Sequence, residues 1–432
     1  MLSLPRTGRL TGFRPEAWIP SVSSMTRHSR ITVGMLVGAL AAGAIAVAAP
    51  AAGQTKDSQA RDSDRGQLVT VQPLRTLTTK ADVARELTAA EFKADDVRYG
   101  VDTYQLVYRT VDPAGRPTVA SGLVAFPRGG ARELRTVSYT HGTEINRTDA
   151  PSMWRDGWAV GPALTYASAG FAAVAPDYLG MGLGPGPHPY LDVPSETTAA
   201  IDLLRAAREF APRTGRTLER KVLVTGFSQG GTAATGLARA LAGGADGWFR
   251  LGALSPIAGA YDARRELLPV IGGLEPPINT GYTSYLLVSW NRLHHIYDQP
   301  SDVFKVDGIE ELFDGVHTGQ ELGETLPATL GDLLTKRGQA LIDNPTGPFA
   351  AALAVHDATC VGWTPRVPVR LVVSAGDEQI RPGHATTCRA GFAARGVDAS
   401  IVDAGDLVYN GSKHLGANIM GTANTVKWFR TL

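Results

Sequence analysis

The sequence predicts an α/β fold in which a mostly parallel sheet carries helices on both faces. Short, continuously apolar segments such as KVLVTG (221–226) and PVRLVVSAG (368–376) alternate with helical segments such as SETTAAIDLLRAAREF (195–210). Continuously apolar segments are typical of parallel strands, which are buried on both faces. The alternation stops between about residues 262 and 360, where prolines, aromatic residues and helical patches dominate. This stretch is too long for a simple loop and predicts an inserted cap or lid subdomain.

Composition places the chain among ordinary globular proteins and argues against some classes of partner. The 432 residues are 44% hydrophobic and 19% charged, a balance that can bury a sizeable core. The formal net charge is +1, which gives no support for binding to nucleic acid or to an anionic membrane surface. No obligate protein partner is implied.

The first 52 residues carry the parts of a secretory signal peptide. After MTRHSR (25–30) comes an uncharged apolar run that ends in AVAAPAAG (46–53). Met25 is a second candidate for the start, because residues 1–24 contain no element that such a signal needs. A retained membrane anchor is the alternative, since the run is almost long enough to span a bilayer. The cleavage-like small residues favour removal near Ala52, so we expect the mature chain to work outside the cytoplasm.

The rest of the chain divides into a leader, one core in two parts, and the cap. Residues 53–85 are polar and charged and are predicted to form a leader tail that becomes a first helix. Two strands around a DPAG turn are predicted within residues 103–126, because the apolar residues of the first strand alternate. The predicted core parts are residues 86–261 and 361–432, and the predicted cap is 262–360.

A G-x-S-x-G pattern surrounds Ser228, with Gly226 and Gly230 as its glycines. The pentapeptide alone is a weak signal, because a structural glycine-rich turn has the same composition. Its context is more specific, since it follows an apolar strand and precedes a helix, as in a nucleophile elbow. Glycines without side chains permit the strained turn that exposes such a serine. The pattern predicts Ser228 as a nucleophile.

A serine hydroxyl needs a base, and the base needs an orienting acid, in the chain order serine, acid, histidine. Asp377 follows the buried strand at 368–376, where a parallel sheet presents catalytic side chains. His414 lies beyond a further strand and just before a C-terminal helical pattern. Asp377 and His414 are therefore predicted to complete a triad with Ser228. Glu378 remains open as the alternative acid.

The negatively charged oxygen that forms on an attacked carbonyl needs backbone N–H donors. One predicted donor is Gln229, the residue after the nucleophile. The second is expected in the loop YTHGT, and Thr143 is favoured over His141 and Gly142. No cofactor or metal is needed for this chemistry.

The only two cysteines, Cys360 and Cys388, are 28 positions apart. In an exported protein, two cysteines most simply form one disulfide. Two buried free thiols are the alternative, and a metal site is disfavoured because no C-x-x-C motif is present.

The chain resembles the α/β-hydrolase superfamily and, more narrowly, is similar to the secretory lipase family. The segments that carry this resemblance are YQLVYRTVDPAGRPTVASGLVAFP (104–127), YTHGT (139–143), APDYLGMG (175–182), GFSQGG (226–231) and AGDEQIRP (375–382). The resemblance implies hydrolysis of a small-molecule or lipid ester through an acyl-enzyme, with transient contact at a lipid interface. Some members of that family have Asp in the segment where this chain has His-Gly-Thr.

Two other functions remain open at this point. An exported aminopeptidase would share the fold and the triad, and it would need carboxylates for the substrate's free amine. The cap supplies candidates in Glu310, Glu311 and Asp314, although a solvated helix face explains them equally well. A non-catalytic binding protein on a hydrolase scaffold is the third hypothesis.

Overall fold

One sheet of nine strands organises the computed structural model, which describes residues 64–432. The predicted signal peptide at 1–52 lies outside the described residues. Across the sheet the strands are ordered β1-β2-β3-β5-β4-β6-β7-β8-β9. Their bounds are β1 Leu68–Leu77, β2 Val101–Val111, β3 Pro117–Pro127, β4 Glu133–Thr140, β5 Ala172–Pro176, β6 Thr217–Phe227, β7 Arg250–Ile257, β8 Arg370–Val373 and β9 Ser400–Asp403.

Six of these strands are parallel, and the other three form an antiparallel edge. β5, β4, β6, β7, β8 and β9 pair in parallel, whereas β1, β2 and β3 pair antiparallel and join the rest through β5. The predicted strands around the DPAG turn are β2 and β3. The carboxyl ends of the parallel strands meet at one edge, where an α/β sheet places its ligand site.

Thirteen helices accompany the sheet in the described part of the chain. They are α1 Lys80–Ala89, α2 Gly157–Ser168, α3 Val193–Phe210, α4 Gln229–Ala242, α5 Leu268–Ile271, α6 Ile278–His294, α7 Pro300–Val303, α8 Gly319–Thr325, α9 Leu330–Leu333, α10 Lys336–Asp343, α11 Gly347–His356, α12 Gly383–Ala393 and α13 Lys413–Phe429. Helices α2 and α13 belong to one hydrophobic cluster, and α3, α4 and α12 to another. On β6, Leu223 faces the first cluster while Val222 and Val224 face the second. The prediction of a mostly parallel sheet with helices on both faces is confirmed.

Residues 53–63 of the predicted leader tail lie outside the described residues, and the rest of that segment, 64–85, differs from the prediction in its local structure. Residues 68–77 form the edge strand β1, which pairs antiparallel with β2, and helix α1 follows. Most of β1 is exposed or half-buried, and Pro73 lies within it. An edge strand tolerates proline and needs little apolar character, because its backbone hydrogen bonds to one neighbour hold it in place.

The helices between β7 and β8 form a helical insertion, the name used below for residues 262–360. It contributes no strand to the sheet and holds α5 to α11. Its two ends meet, because the carboxylate of Asp357 accepts hydrogen bonds from the N–H groups of Ala263 (2.7 Å) and Arg264 (3.1 Å). Cys360 and Cys388 then form the predicted disulfide, which ties the end of the insertion to α12.

The cap bounds of 262–360 remain our proposal. Within residues 64–432, no helix combines the length and the apolar character needed to cross a membrane.

Candidate active site

Ser228 lies in a sharp turn between β6 and α4. Its backbone angles are φ 57° and ψ −121°, in a region that residues with side chains rarely adopt. The Ser228 N–H donates to the carbonyl of Ile257, and its own carbonyl accepts from Gly231. Neighbouring strand β7 therefore helps to hold the strained turn, as expected of a nucleophile elbow.

The two glycines beside Ser228 are needed because Thr140, at the end of β4, comes very close. A Cβ atom on Gly230 would lie 2.0 Å from the carbonyl oxygen of Thr140, and one on Gly226 would lie 2.1 Å from the Thr140 Oγ1. That hydroxyl donates to the Gly230 carbonyl at 2.6 Å. The pattern Gly-x-Ser-x-Gly thus allows β4 and the turn to pack in direct backbone contact.

The structure brings Ser228, His414 and Asp377 together from three elements distant in sequence. The Nε2 of His414 lies 2.9 Å from the Ser228 Oγ, and its Nδ1 lies 2.8 Å from the Asp377 Oδ2. His414 lies in the first turn of α13, and Asp377 follows β8. All three side chains are buried. With Nδ1–H donating to the carboxylate, Nε2 is left to accept the hydroxyl proton of Ser228.

Asp377 and Glu378 have separate partners. The second oxygen of Asp377 accepts from the N–H groups of Gln379 (2.9 Å) and Ile380 (2.8 Å), which fixes the carboxylate against the imidazole. Glu378 instead accepts from the hydroxyl of Ser412 and from the backbone N–H of Lys413. Glu378 therefore holds the start of α13 and does not contact the His414 ring.

Gln229 and Thr143 both line a cavity beside Ser228. The N–H of Gln229 is in the first turn of α4, where N–H groups have no acceptor within the helix. Of the three loop residues considered from the sequence, Thr143 alone lines this cavity. The His141 ring lies against the carbonyls of Gly142 and Asp177, and burial lowers the pKa of His141 to about 4. His141 is therefore a neutral, structural residue of the loop.

The cavity beside Ser228 is narrow and mostly apolar, with about 20 Å³ open to the centre of a water-sized sphere. Its apolar lining comes from both the core and the helical insertion, through Leu191, Ala260, Leu267, Ile271, Leu274, Leu286 and Ile380. Polar groups at the wall include Tyr282, whose hydroxyl donates to the Oε1 of Gln379 at 3.1 Å. The site can therefore hold an apolar group next to the serine.

A buried polar cluster behind Gln229 was not predicted from the sequence. The Nε2 of Gln229 donates to the Oε1 of Glu196 (2.7 Å) and lies 2.9 Å from the Nε2 of His188. Glu196 belongs to α3, and His188 lies in the loop before that helix. No sequence signal identified these two residues, because a glutamate in the first turn of a helix is ordinary.

The sheet order, the elbow and the arrangement of Ser228, His414 and Asp377 are those of an α/β-hydrolase, and the chain has that fold. No protein-family model matches the sequence, and the search of curated proteins found no match. Solved structures do match, and they include hydrolases, esterases and lipases.

Three of these structures illustrate the relationship. A proposed hydrolase from Legionella pneumophila is 26% identical with a TM-score of 0.76, and the match covers 84% of this chain and 97% of that one. The rice cell wall degrading esterase LipA from Xanthomonas oryzae is 28% identical with a TM-score of 0.74, over 85% and 98% of the two chains. Candida antarctica lipase A in its closed state shares the fold at 18% identity and a TM-score of 0.59, over 85% and 81%.

Proposed function

We propose that this chain is an exported serine esterase that hydrolyses carboxylic esters through an acyl-enzyme. The observation that carries the proposal is the position of the His414 ring, whose two nitrogens lie 2.9 Å from a serine hydroxyl and 2.8 Å from a buried carboxylate. A neutral hydroxyl becomes an effective nucleophile only in such a setting. The similarity to esterases supports the same chemistry.

In the proposed first half-reaction, the Ser228 Oγ attacks the ester carbonyl carbon while Nε2 of His414 takes the hydroxyl proton. Asp377 stabilises the imidazolium that forms. The carbonyl oxygen becomes an oxyanion and accepts hydrogen bonds from the N–H groups of Gln229 and Thr143. When the carbonyl re-forms, the bond to the alcohol oxygen breaks, and that oxygen takes the proton from His414. The product is an ester between the acyl group and Ser228.

In the second half-reaction, a water molecule takes the place of the alcohol. His414 removes a proton from the water as its oxygen attacks the acyl carbon. The second tetrahedral intermediate then breaks the bond to the Ser228 Oγ, which recovers its proton from His414. The net change is ester plus water to carboxylic acid plus alcohol, with the enzyme returned to its starting state.

The lining of the cavity favours an apolar acyl group, and its limited volume favours short chains. Only about 20 Å³ is open to the centre of a water-sized sphere, between walls rich in leucine and isoleucine. Burial of apolar surface in such a cavity is favourable by about 25 cal/mol per Å². Chains longer than the cavity would require the helical insertion to move. Export is proposed from the N-terminal signal pattern together with the Cys360–Cys388 disulfide.

The test is hydrolysis of a p-nitrophenyl ester series from acetate to palmitate by the mature protein. We expect the Ser228→Ala variant to lose about 10³-fold or more of kcat, since the nucleophile is removed. Ser301→Ala, at an exposed position of the helical insertion, is the matched control and should retain full activity. A fluorophosphonate should label the wild type with one mass increment and leave Ser228→Ala unlabelled. Equal activity in Ser228→Ala would overturn the mechanism.

The aminopeptidase hypothesis gains no specific support. Glu310 accepts a hydrogen bond from the Tyr297 hydroxyl at 2.8 Å, and Asp314 accepts from the N–H groups of Val316 and His317. Neither these two residues nor Glu311 lines the cavity beside Ser228. Activity on aminoacyl anilides with none on esters would favour the aminopeptidase over the esterase. Labelling by the fluorophosphonate distinguishes both enzymes from a non-catalytic binding protein.

A further inference from the structure

Glu196 and Gln229 form a buried pair directly behind the candidate nucleophile. Glu196 is 1% exposed and Gln229 is 2% exposed. The side-chain N–H₂ of Gln229 donates to the Glu196 Oε1 at 2.7 Å. The pair joins α3 to the first residue of α4, which follows Ser228.

Each member of the pair has one further oxygen that is buried without a partner. Within residues 64–432, neither the Glu196 Oε2 nor the Gln229 Oε1 has a hydrogen-bond donor. An ionised carboxylate only accepts hydrogen bonds, so it cannot satisfy the amide oxygen. A proton on the Glu196 Oε2 would turn that atom into a donor. A carboxylic acid and a primary amide then complement each other, because each has one donor beside one acceptor.

The other neighbour of Gln229 is consistent with a neutral arrangement. His188 Nδ1 lies 2.9 Å from the carbonyl oxygen of Leu179, so Nδ1 carries the proton and donates. The His188 Nε2 is then free to accept the second N–H of the Gln229 amide. Burial lowers the pKa of His188 to about 3, which keeps this ring neutral. Both N–H groups of Gln229 are therefore used.

We propose that Glu196 is a neutral carboxylic acid in the working enzyme, that it forms two reciprocal hydrogen bonds with the Gln229 side chain, and that this pair positions the Gln229 backbone N–H for the ester oxyanion. The positioning role rests on the proposed function, whereas the protonation of Glu196 does not. Glu196 acts through Gln229 and does not contact the substrate.

The surroundings of Glu196 oppose its ionisation. The pKa of Glu196 is raised to about 8, because burial, aided by the charge of Asp192, outweighs the lowering by the hydrogen bond from Gln229. The other titratable groups near Glu196 are His188 from the preceding loop and three tyrosines, and all four are neutral near pH 7. The tyrosines are Tyr178, Tyr190 and Tyr285. None of them supplies a positive charge near neutral pH. The carboxyl group is therefore stable in its protonated form until the solution becomes mildly alkaline.

The buried cluster of Glu196, Gln229 and His188 also connects to the loop that carries Thr143, the second proposed oxyanion donor. The ring of His188 stacks on that of Tyr178, with centroids 5.5 Å apart. The Tyr178 hydroxyl donates to the His141 carbonyl at 2.9 Å, in the loop that leads to Thr143. Loss of the Glu196 proton would leave the Glu196 Oε2 and the Gln229 Oε1 buried without a donor and would loosen Gln229. The packed rings of His188 and Tyr178 connect this change to the loop that carries the second donor.

The first test compares kcat across pH 6 to 10 for wild type and Glu196→Gln. As the pH rises through about 8, Glu196 loses its proton, and we expect wild-type kcat to fall by about tenfold because one oxyanion donor is weakened. Glutamine keeps both a donor and an acceptor at every pH, so Glu196→Gln should retain activity and lose this alkaline decline. Glu196→Met removes both and should lower kcat more than it changes KM. Glu209→Gln, on the exposed part of α3, is the matched control and should follow the wild-type profile.

The second test is independent of catalysis. Infrared difference spectra between wild type and Glu196→Gln, each carrying Ser228→Ala, should show a protonated carboxyl band at pH 7 that disappears as the pH rises through about 8. Absence of this band at pH 7 would overturn the proposal, as would an unchanged alkaline decline in Glu196→Gln or failure of that variant to fold. If no ester is hydrolysed but the band is present, the proposed function fails and the neutral Glu196 stands.

Discussion

Asp377 and Glu378 are adjacent in the chain, yet their carboxylates hold different parts of the molecule. Asp377 contacts the His414 ring, and two N–H groups that follow it in the chain fix its second oxygen. Glu378 turns the other way and accepts from the first residues of α13. The direction of each side chain after β8 therefore decides whether the carboxylate contacts the imidazole or the start of α13.

This difference yields a prediction for paired substitutions. Asp377→Asn should reduce kcat by about 10⁴-fold, because an amide no longer holds the imidazole in the tautomer that accepts the serine proton. Glu378→Gln should change kcat only a few-fold, since it affects the start of α13 and not the ring. Ester hydrolysis under saturating substrate checks both variants, with circular dichroism as the folding control. A larger loss in Glu378→Gln would make Glu378 the acid.

Residue order alone predicted that Ser228, Asp377 and His414 would meet, because each follows a strand of one parallel sheet. The sequence favoured Thr143 over His141 and Gly142 as the second oxyanion donor, and this assignment stays a prediction, since adjacent backbone N–H groups are hard to distinguish in a sequence. Glu196 could not have been found at all. Its partner Gln229 lies 33 positions away, and the two meet only because α3 and α4 pack together.

At the scale of elements, the junction between the helical insertion and α12 is held by buried groups. His384, in α12, accepts a hydrogen bond at Nδ1 from the N–H of Asp262, where the insertion begins. Burial, with a smaller contribution from the nearby His356, lowers the pKa of His384 to about 3. His384 is therefore neutral in the folded protein across the usual pH range.

Acid should destabilise this junction. In the unfolded chain His384 takes up a proton below its ordinary pKa of about 6.5, whereas in the fold it does so only near 3. Its contribution to stability is complete above about pH 6.5 and is lost as the pH falls towards 3. Urea unfolding at pH 7, 5 and 4 should show a smaller loss in His384→Gln than in wild type. His317→Gln, on the half-exposed surface, should follow the wild type, and equal slopes in all three proteins would refute the prediction.

Some elements could be predicted and others could not, for physical reasons. The central strands were recognisable because burial on both faces demands continuous apolar residues. Strand β1 was missed, because its residues face solvent and its stability comes from backbone pairing with β2. The insertion was recognisable only as an interruption, because all of its helices except α6 have ten residues or fewer, too few to show a long periodic apolar face.

At the scale of the whole molecule, the cavity beside Ser228 belongs to no single part of the chain. Thr143, Gln229 and Ile380 come from the core, whereas Leu267, Ile271 and others come from the helical insertion. Under the proposed function, the core supplies the catalytic groups, whereas the core and the helical insertion together form the wall that would contact the acyl group.

This division predicts that acyl preference can be changed without altering the triad. Ile271→Ala removes a side chain from the cavity wall and should shift the preferred p-nitrophenyl ester towards longer chains, with a stability loss of about 2–4 kcal/mol. Ile342→Ala removes the same side chain from the buried interior of the insertion, away from the cavity. It should lose comparable stability and keep the wild-type chain-length profile. An equal shift in both variants would point to general loosening of the insertion.

The contact between the two ends of the insertion affects how this protein can change in evolution. Because Asp357 bonds to Ala263 and Arg264, and the disulfide follows at Cys360, the segment leaves and rejoins the core at almost one point. Its length and content can change while β7 and β8 stay where they are. Evolution can therefore replace or enlarge this segment and so change which substrates fit, while the catalytic residues of the core keep their positions.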